Sequence, residues 1–292
     1  MLVKVQDNVW ILLAALTFVS IMSLIAWCLG FYRLPKGEKK RHIGVGSAAA
    51  AFGLYFFVQL ILVPMGLIGW VYYQSGSVPE EIFGPLSQSD IGWINLFSIL
   101  LSTTVVIILS IALGRNSRQE IWNFGSLNFW KHVKSALIGM VTWLLSYPWV
   151  VVVGQFVSIC LILWRGEALP DVDQDMVHYL RSIADDRLLF TSSLAAVIVW
   201  VPLAEELLFR GFLQSWLSTF FPVSFAIALT SILFAFLHFS IGQGLLNWLL
   251  IPSLFVLSCF LGFVYERQQA LIAPIFLHMT VNAISASMIF II

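Results

Sequence analysis

Eight long apolar runs, separated by short polar stretches, organise the chain. They cover about Val9–Tyr32, Ile43–Tyr73, Ile91–Leu113, Ala136–Trp164, Leu188–Arg210, Val223–Phe239, Trp248–Tyr265 and Leu271–Ile292. A run near 20 residues is what a helix needs to cross the hydrocarbon core. Only helices and closed barrels satisfy their own backbone groups there. The pattern predicts an all-α fold, a polytopic integral membrane bundle of about eight transmembrane helices. The sixth and seventh runs are short, and Ile241–Asn247 between them reads as a tight turn or a re-entrant piece. No internal repeat or low-complexity tract is visible. The expectation is a single integral membrane domain over 1–292.

Composition supports this. Of 292 residues, 60% are hydrophobic and 10% charged, against roughly 45–50% and about 25% in a soluble domain. A soluble enzyme, a disordered chain and a coiled coil are excluded. Fifteen basic residues balance fifteen acidic ones, so no basic excess exists to neutralise phosphates, which argues against a nucleic-acid partner. The three cysteines, Cys28, Cys160 and Cys259, lie in apolar runs and read as small buried hydrophobes. The first run is too long for a removable leader, and basic residues follow it instead of preceding it.

Loop charge sets orientation. Arg33, Lys36, Lys39, Lys40, Arg41, Arg115, Arg118, Lys131, Lys134, Arg210 and Arg267 fall on one side, against Lys4, Arg165, Arg181 and Arg187 on the other. Basic loops stay cytoplasmic, so both termini are expected outside, in a multi-pass protein of the plasma (inner) membrane. Glu80, Glu81, Asp90 and the cluster Glu167, Asp171, Asp173, Asp175, Asp185, Asp186 fall on the outer side. Asn116–Lys134 interleaves Trp122, Phe124, Phe129 and Trp130 with basic residues, as an interfacial anchor does.

The informative residues are ionisable groups inside spans, where charge costs at least about 2.5–3.5 kcal/mol. The first four spans have none. The fifth has Glu205, Glu206 and Arg210, the sixth His238, and the eighth His278. Glu206 and Arg210 are four apart and share a helical face, in the favourable order. Glu205 points about 100° away from Glu206, without a helical partner, and is free to face a cavity as a general base. Phe234 and His238 are four apart, as are His278 and Asn282. His278 and Asn282 can donate towards one point, which is what an oxyanion hole requires. Pro202 loosens the helix just before the carboxylates.

These parts suit hydrolysis of a carbonyl compound: Glu205 and His238 hold and deprotonate a water, and His278 and Asn282 stabilise the oxyanion. The alternative is a metal site, with Zn2+ on Glu205, His238 and His278, although the helical HExxH motif is absent. Neither GxSG nor GxGD occurs. The levels fit less neatly. His238 lies near the far end of its span, and His278 lies about 10 Å into its own. Either the sixth span continues past His238 or the turn after it dips into the membrane.

In order and spacing, Glu205-Glu206-xxx-Arg210, Phe234-xxx-His238 and His278-xxx-Asn282 resemble the motifs of the CAAX-prenyl-endopeptidase and bacteriocin-processing family of intramembrane proteases, also called the Abi family. The motifs cover about Val201 to Ala283 on the helices of 188–292. The resemblance implies an eight-helix bundle with a polar cavity. It implies that Glu205 and His238 position the attacking water, that His278 and Asn282 form the oxyanion hole, and that Glu206 and Arg210 support them. It also implies either a metalloprotease or a metal-independent, glutamate-dependent enzyme, acting on a membrane-embedded or lipid-modified peptide: a prenylated CAAX tail, or a bacteriocin or signal peptide. Two other functions compete. One is a non-catalytic immunity or adaptor protein on the same scaffold, which need not keep both base and oxyanion donors. The other is a transporter, against which stands the absence of paired broken helices in two halves.

Overall fold

The computed structural model describes residues 2–35, 41–75, 86–123, 129–167 and 175–288. Lys36, Lys39, Lys40, Glu80, Glu81, Phe124, Asp171 and Asp173 lie outside the described residues. Among the described residues there are helices and no strand. In chain order they are α1 (Leu2–Cys28), α2 (Val45–Tyr73), α3 (Gln88–Ala112), α4 (Arg115–Trp122), α5 (Phe129–Arg165), α6 (Asp175–Ser182), α7 (Arg187–Leu217), α8 (Val223–Phe236), α9 (Leu246–Gln268) and α10 (Ile272–Met288). Six of them are long and apolar enough to cross a membrane, and α8 and α10 are shorter apolar helices. The protein is a helical membrane bundle. Each of the eight apolar runs carries one helix of this set.

Polar signals in the sequence fix the helix ends. Ser87 caps α3 by accepting from the Asp90 amide, and the Asp90 carboxylate accepts from the Ser87 amide in return, a reciprocal box that occupies two amides otherwise left over. Asp186, expected only as part of an acidic outer loop, caps α7 by accepting from the Leu189 amide.

Two prolines leave a common mark. In α2 a widened π turn, Val58–Leu62, ends just before Pro64, and Val63 donates back five residues to Val58. In α7 the π turn Ala196–Trp200 ends just before Pro202, and Val201 donates back five to Ala196. A proline ring presses on the carbonyl four residues back and has no N–H. Widening the preceding turn relieves that pressure without breaking the helix. A second π segment, Leu207–Gln214, follows in α7, and the Ser215 hydroxyl donates to the Arg210 carbonyl there.

The middle of the bundle is α5 with α1, α9 and α10 against it, while α7 lies between α2, α3 and α10. Close approach decides one residue: a Cβ on Gly139 of α5 would stand 2.1 Å from the Ala273 carbonyl oxygen of α10, so only glycine allows this crossing. Large apolar side chains such as Trp10, Leu60, Tyr73 and Trp164 point outward, as a lipid-facing surface requires. All three cysteines are free, but Cys28 and Cys160 are exposed and Cys259 is half-buried. The expectation of burial fails for the first two because, in a membrane bundle, an apolar run has a lipid face as well as a packed one.

α7 extends past the expected end at Arg210 to Leu217. Arg210 therefore sits about two helical turns inside the helix, roughly 10 Å from that end. The extension is stable because Gln214 and Ser215 are buried and paired with α9: Gln214 donates to Glu266 at 2.9 Å, and Ser215 shares a hydrogen bond of 2.8 Å with the Tyr265 hydroxyl.

Candidate active site

Glu205, Glu206, Arg210, His238 and His278 come together from α7, the end of α8 and α10. Glu206 and Arg210 are fully buried, at 0% exposure. The Arg210 Nη1 donates to Glu206 Oε1 at 2.9 Å, and Nη2 donates to the Ser258 hydroxyl at 2.6 Å and to the Ser258 carbonyl at 3.0 Å. Its guanidinium also lies 4.9 Å from the centre of the Phe234 ring, a cation–π contact. The guanidinium is thus fixed from α7, α8 and α9 at once.

His278 Nδ1 lies 2.9 Å from the same Glu206 Oε1. A carboxylate only accepts, so Nδ1 carries the proton in that bond. His238 Nδ1 lies 2.8 Å from the Phe234 carbonyl, and by the same reasoning Nδ1–H donates. Both rings are thereby oriented with Nε2 outward. Both Nε2 atoms face Glu205: His238 at 3.8 Å from Oε1, and His278 at 3.7 Å from Oε2. The Glu205 side chain is 18% exposed and that of His238 32%. The buried Glu206–Arg210 pair forms the floor, and Glu205 with His238 forms the accessible edge.

His238 sits in the turn after α8, which stops at Phe236. Of the two ways to reconcile the levels, the turn carries the histidine. Asn247 pins that turn by accepting from the Ser240 amide at 3.1 Å and donating to the Ser240 and Gly244 carbonyls at 2.7 and 3.0 Å. Ile241–Gln243 forms a single 3-10 turn, and Phe239 and Ile241 are exposed.

Asn282 stands apart from this hydrogen-bonded set. Its side-chain amide donates to the Val197 carbonyl at 2.9 Å. Phe234 is fully buried and touches three site residues: Arg210, His238 with ring centres 4.7 Å apart, and His278 at 6.0 Å.

Sequence reasoning missed two things. One is Ser258, since nothing in a serine within an apolar run announces an arginine partner. The other is a second buried ionic cluster. Arg41 pairs with Glu266 at 2.8 Å and with Glu120 at 3.5 Å, and Glu120 also accepts from the His42 amide. Burial alone would lower the Arg41 guanidinium, but Glu266, Tyr265 and Glu120 outweigh it and hold the group above its ordinary value. The available signal was that Glu120 and Glu266 are acids on the side where basic residues predominate.

Zn2+ is the alternative occupant, with Glu205, His238 and His278 as its ligands. Among the described residues, no group of three His, Cys, Asp or Glu side chains stands close enough to hold an ion. The two Nε2 atoms lie against different oxygens of Glu205, at 3.8 and 3.7 Å. The donor set does not fit a resident metal, and no step below runs through one.

Residues 187–284 match the family model described as Rce1-like, type II CAAX prenyl endopeptidase Rce1-like. No curated protein and no solved structure matches the chain. The matched stretch opens at the first residue of α7 and includes all three motifs. Over these residues the chain is similar to the Rce1-like family, which supports membership of the CAAX-prenyl-endopeptidase and bacteriocin-processing family.

Proposed function

We propose that this protein is an intramembrane endopeptidase that hydrolyses a peptide bond of a membrane-embedded or lipid-modified peptide, a prenylated CAAX tail or a bacteriocin or signal peptide, with a water activated by Glu205 and His238. The observation that carries this reading is the placement of two oriented histidine Nε2 atoms on the two oxygens of one partly exposed carboxylate.

A water about 2.8 Å from both Glu205 Oε1 and His238 Nε2 subtends roughly 85° between them, so it can offer one hydrogen to each. As its oxygen bonds to the scissile carbonyl carbon, one proton passes to the Glu205 carboxylate. The carbonyl becomes a tetrahedral oxyanion. His278 Nε2 is aimed at the same region from the opposite oxygen of Glu205. Glu206 holds its Nδ1–H and so fixes the direction in which Nε2 faces that oxyanion. Collapse breaks the C–N bond, and the proton held by Glu205 goes to the leaving amine. Glu206 and Arg210 hold His278 and never touch the substrate. Asn282 Nδ2 has two N–H groups, one of which donates to the Val197 carbonyl. The asymmetry of the basic loops supports an orientation with both termini outside the cytoplasm.

The test is cleavage of a membrane-peptide library in proteoliposomes. Glu205→Ala and His238→Ala are expected to lower turnover by roughly 10²–10⁴-fold, the range for a lost general base. A strong chelator is expected to leave wild-type cleavage unchanged. Cleavage that survives Glu205→Ala sinks the reading. Loss on chelation, restored by zinc, replaces it with a metallo-mechanism.

A further inference from the structure

We propose that Asn282 is a positioning residue that supplies the backbone hydrogen bond which Pro202 cannot make, and so holds the segment carrying Glu205 in register. The argument starts at the Val197 carbonyl. In an α-helix it would accept from Val201, but Val201 donates to Ala196 instead. In a π turn it would accept from residue 202, which is proline and has no N–H. The carbonyl is left without a helical donor inside a membrane bundle, where an unmet polar group is costly. The Asn282 amide of α10 fills that place at 2.9 Å. Glu205 follows Pro202 by three residues, and Glu206 by four. The bond from α10 therefore sets the rotation and height of the turn that presents Glu205. The same face of α10, one helical turn earlier, carries His278 on Glu206 at 2.9 Å. Asn282 and His278 hold α7 on both sides of its proline.

This makes Asn282 and Pro202 a coupled pair, which a residue acting only on the substrate would not be. Pro202→Ala returns an N–H to the helix. Whether the turn stays π or relaxes to α, Val197 then has a backbone donor, from residue 202 or from Val201.

The test is a double-mutant cycle on the full chain, reading equilibrium unfolding in mixed detergent micelles titrated with sodium dodecyl sulfate. Asn282→Leu is expected to raise the unfolding constant by about 5–30-fold when Pro202 is present, and by less than about threefold in the Pro202→Ala background. If Asn282→Leu alone does not accumulate as folded protein, recovery of folded protein in the Pro202→Ala/Asn282→Leu double variant is the supporting result. An equal cost in both backgrounds, or a double variant as unstable as the single, overturns the proposal. Turnover on the peptide library follows the same cycle, with the double variant within about threefold of Pro202→Ala alone. A double variant that regains stability but stays inactive overturns positioning in favour of direct contact with the substrate. The activity arm rests on the protease reading; the unfolding arm does not. A wild type that cleaves nothing therefore defeats the protease reading and leaves this inference to be decided by unfolding.

Discussion

Arg210→Met removes the centre of the buried charge cluster, and its cost can be worked from the contacts. The guanidinium is fully buried, and its hydrogen bonds go to Glu206 Oε1 and to the Ser258 hydroxyl and carbonyl. Methionine keeps the stem volume and some contact with Phe234, so the cavity contribution is small. What remains is Glu206, fully buried with His278 Nδ1 as its other donor. Breaking a buried pair by deleting one partner costs about 3–5 kcal/mol, because the other charge stays behind. At about 1.4 kcal/mol per tenfold, the unfolding constant rises by roughly 150- to 4,000-fold. The assay is equilibrium unfolding in mixed micelles, as for Asn282. Adding Glu206→Gln removes the stranded charge yet keeps an acceptor for His278, and should return at least half of the loss. Arg210→Lys should fall between wild type and Arg210→Met, because one ammonium cannot reproduce a fork reaching Glu206 and Ser258 together. If Arg210→Met costs less than about 1 kcal/mol, or if Glu206→Gln gives no recovery, the buried-pair argument is wrong.

Other expectations concern packing and the second cluster. Gly139→Ala must push α5 from α10, since its Cβ would meet the Ala273 carbonyl at 2.1 Å; a loss of about 1–3 kcal/mol in the same assay is expected, whereas Gly53→Ala, with nothing within 4 Å, should be neutral or stabilising. Arg41 is held above its ordinary value, so its stabilising charge is complete below that value and is lost only as pH rises beyond it; the stability difference between wild type and Arg41→Met should stay constant from about pH 7 to 9, and a steady fall over that window would contradict the ion-pair assignment.

Much of the fold was legible because lipid imposes a simple rule on composition. Runs such as Ile91–Leu113 and Ala136–Trp164 have no other stable form, and the helices found there differ from the expected bounds mainly at their ends. The failures come where polar residues continue a helix. Arg210 is the residue at which the apolar run predicts a span to end. It lies two turns inside because Glu206, Ser258 and Phe234 meet it, and Gln214 and Ser215 continue the helix against Glu266 and Tyr265. A sequence shows the polar residue but not the partner that neutralises it, and the partner decides whether the chain stays in the bundle.

The candidate site divides along the same line. Spacing of four places Glu206 against Arg210 and His238 against the Phe234 carbonyl, and both contacts exist, because such pairs depend only on local helical geometry. The facing of Glu205 towards two histidines on other elements depends on how α7 is turned, and a π segment on each side of the Val201–Glu206 stretch shifts the phase of a helical wheel. The wheel could separate Glu205 from Glu206 but could not say what Glu205 would meet. Asn282 shows the same limit most clearly. As an amide one turn after His278 it suggested an oxyanion donor, and no spacing rule links it to a carbonyl 85 residues earlier. The link becomes visible only when the backbone donors of α7 are counted and Pro202 is found to leave one acceptor over. A proline in sequence marks a missing donor; the fold must show which side chain replaces it, and here the replacement ties α10 to the turn that carries Glu205.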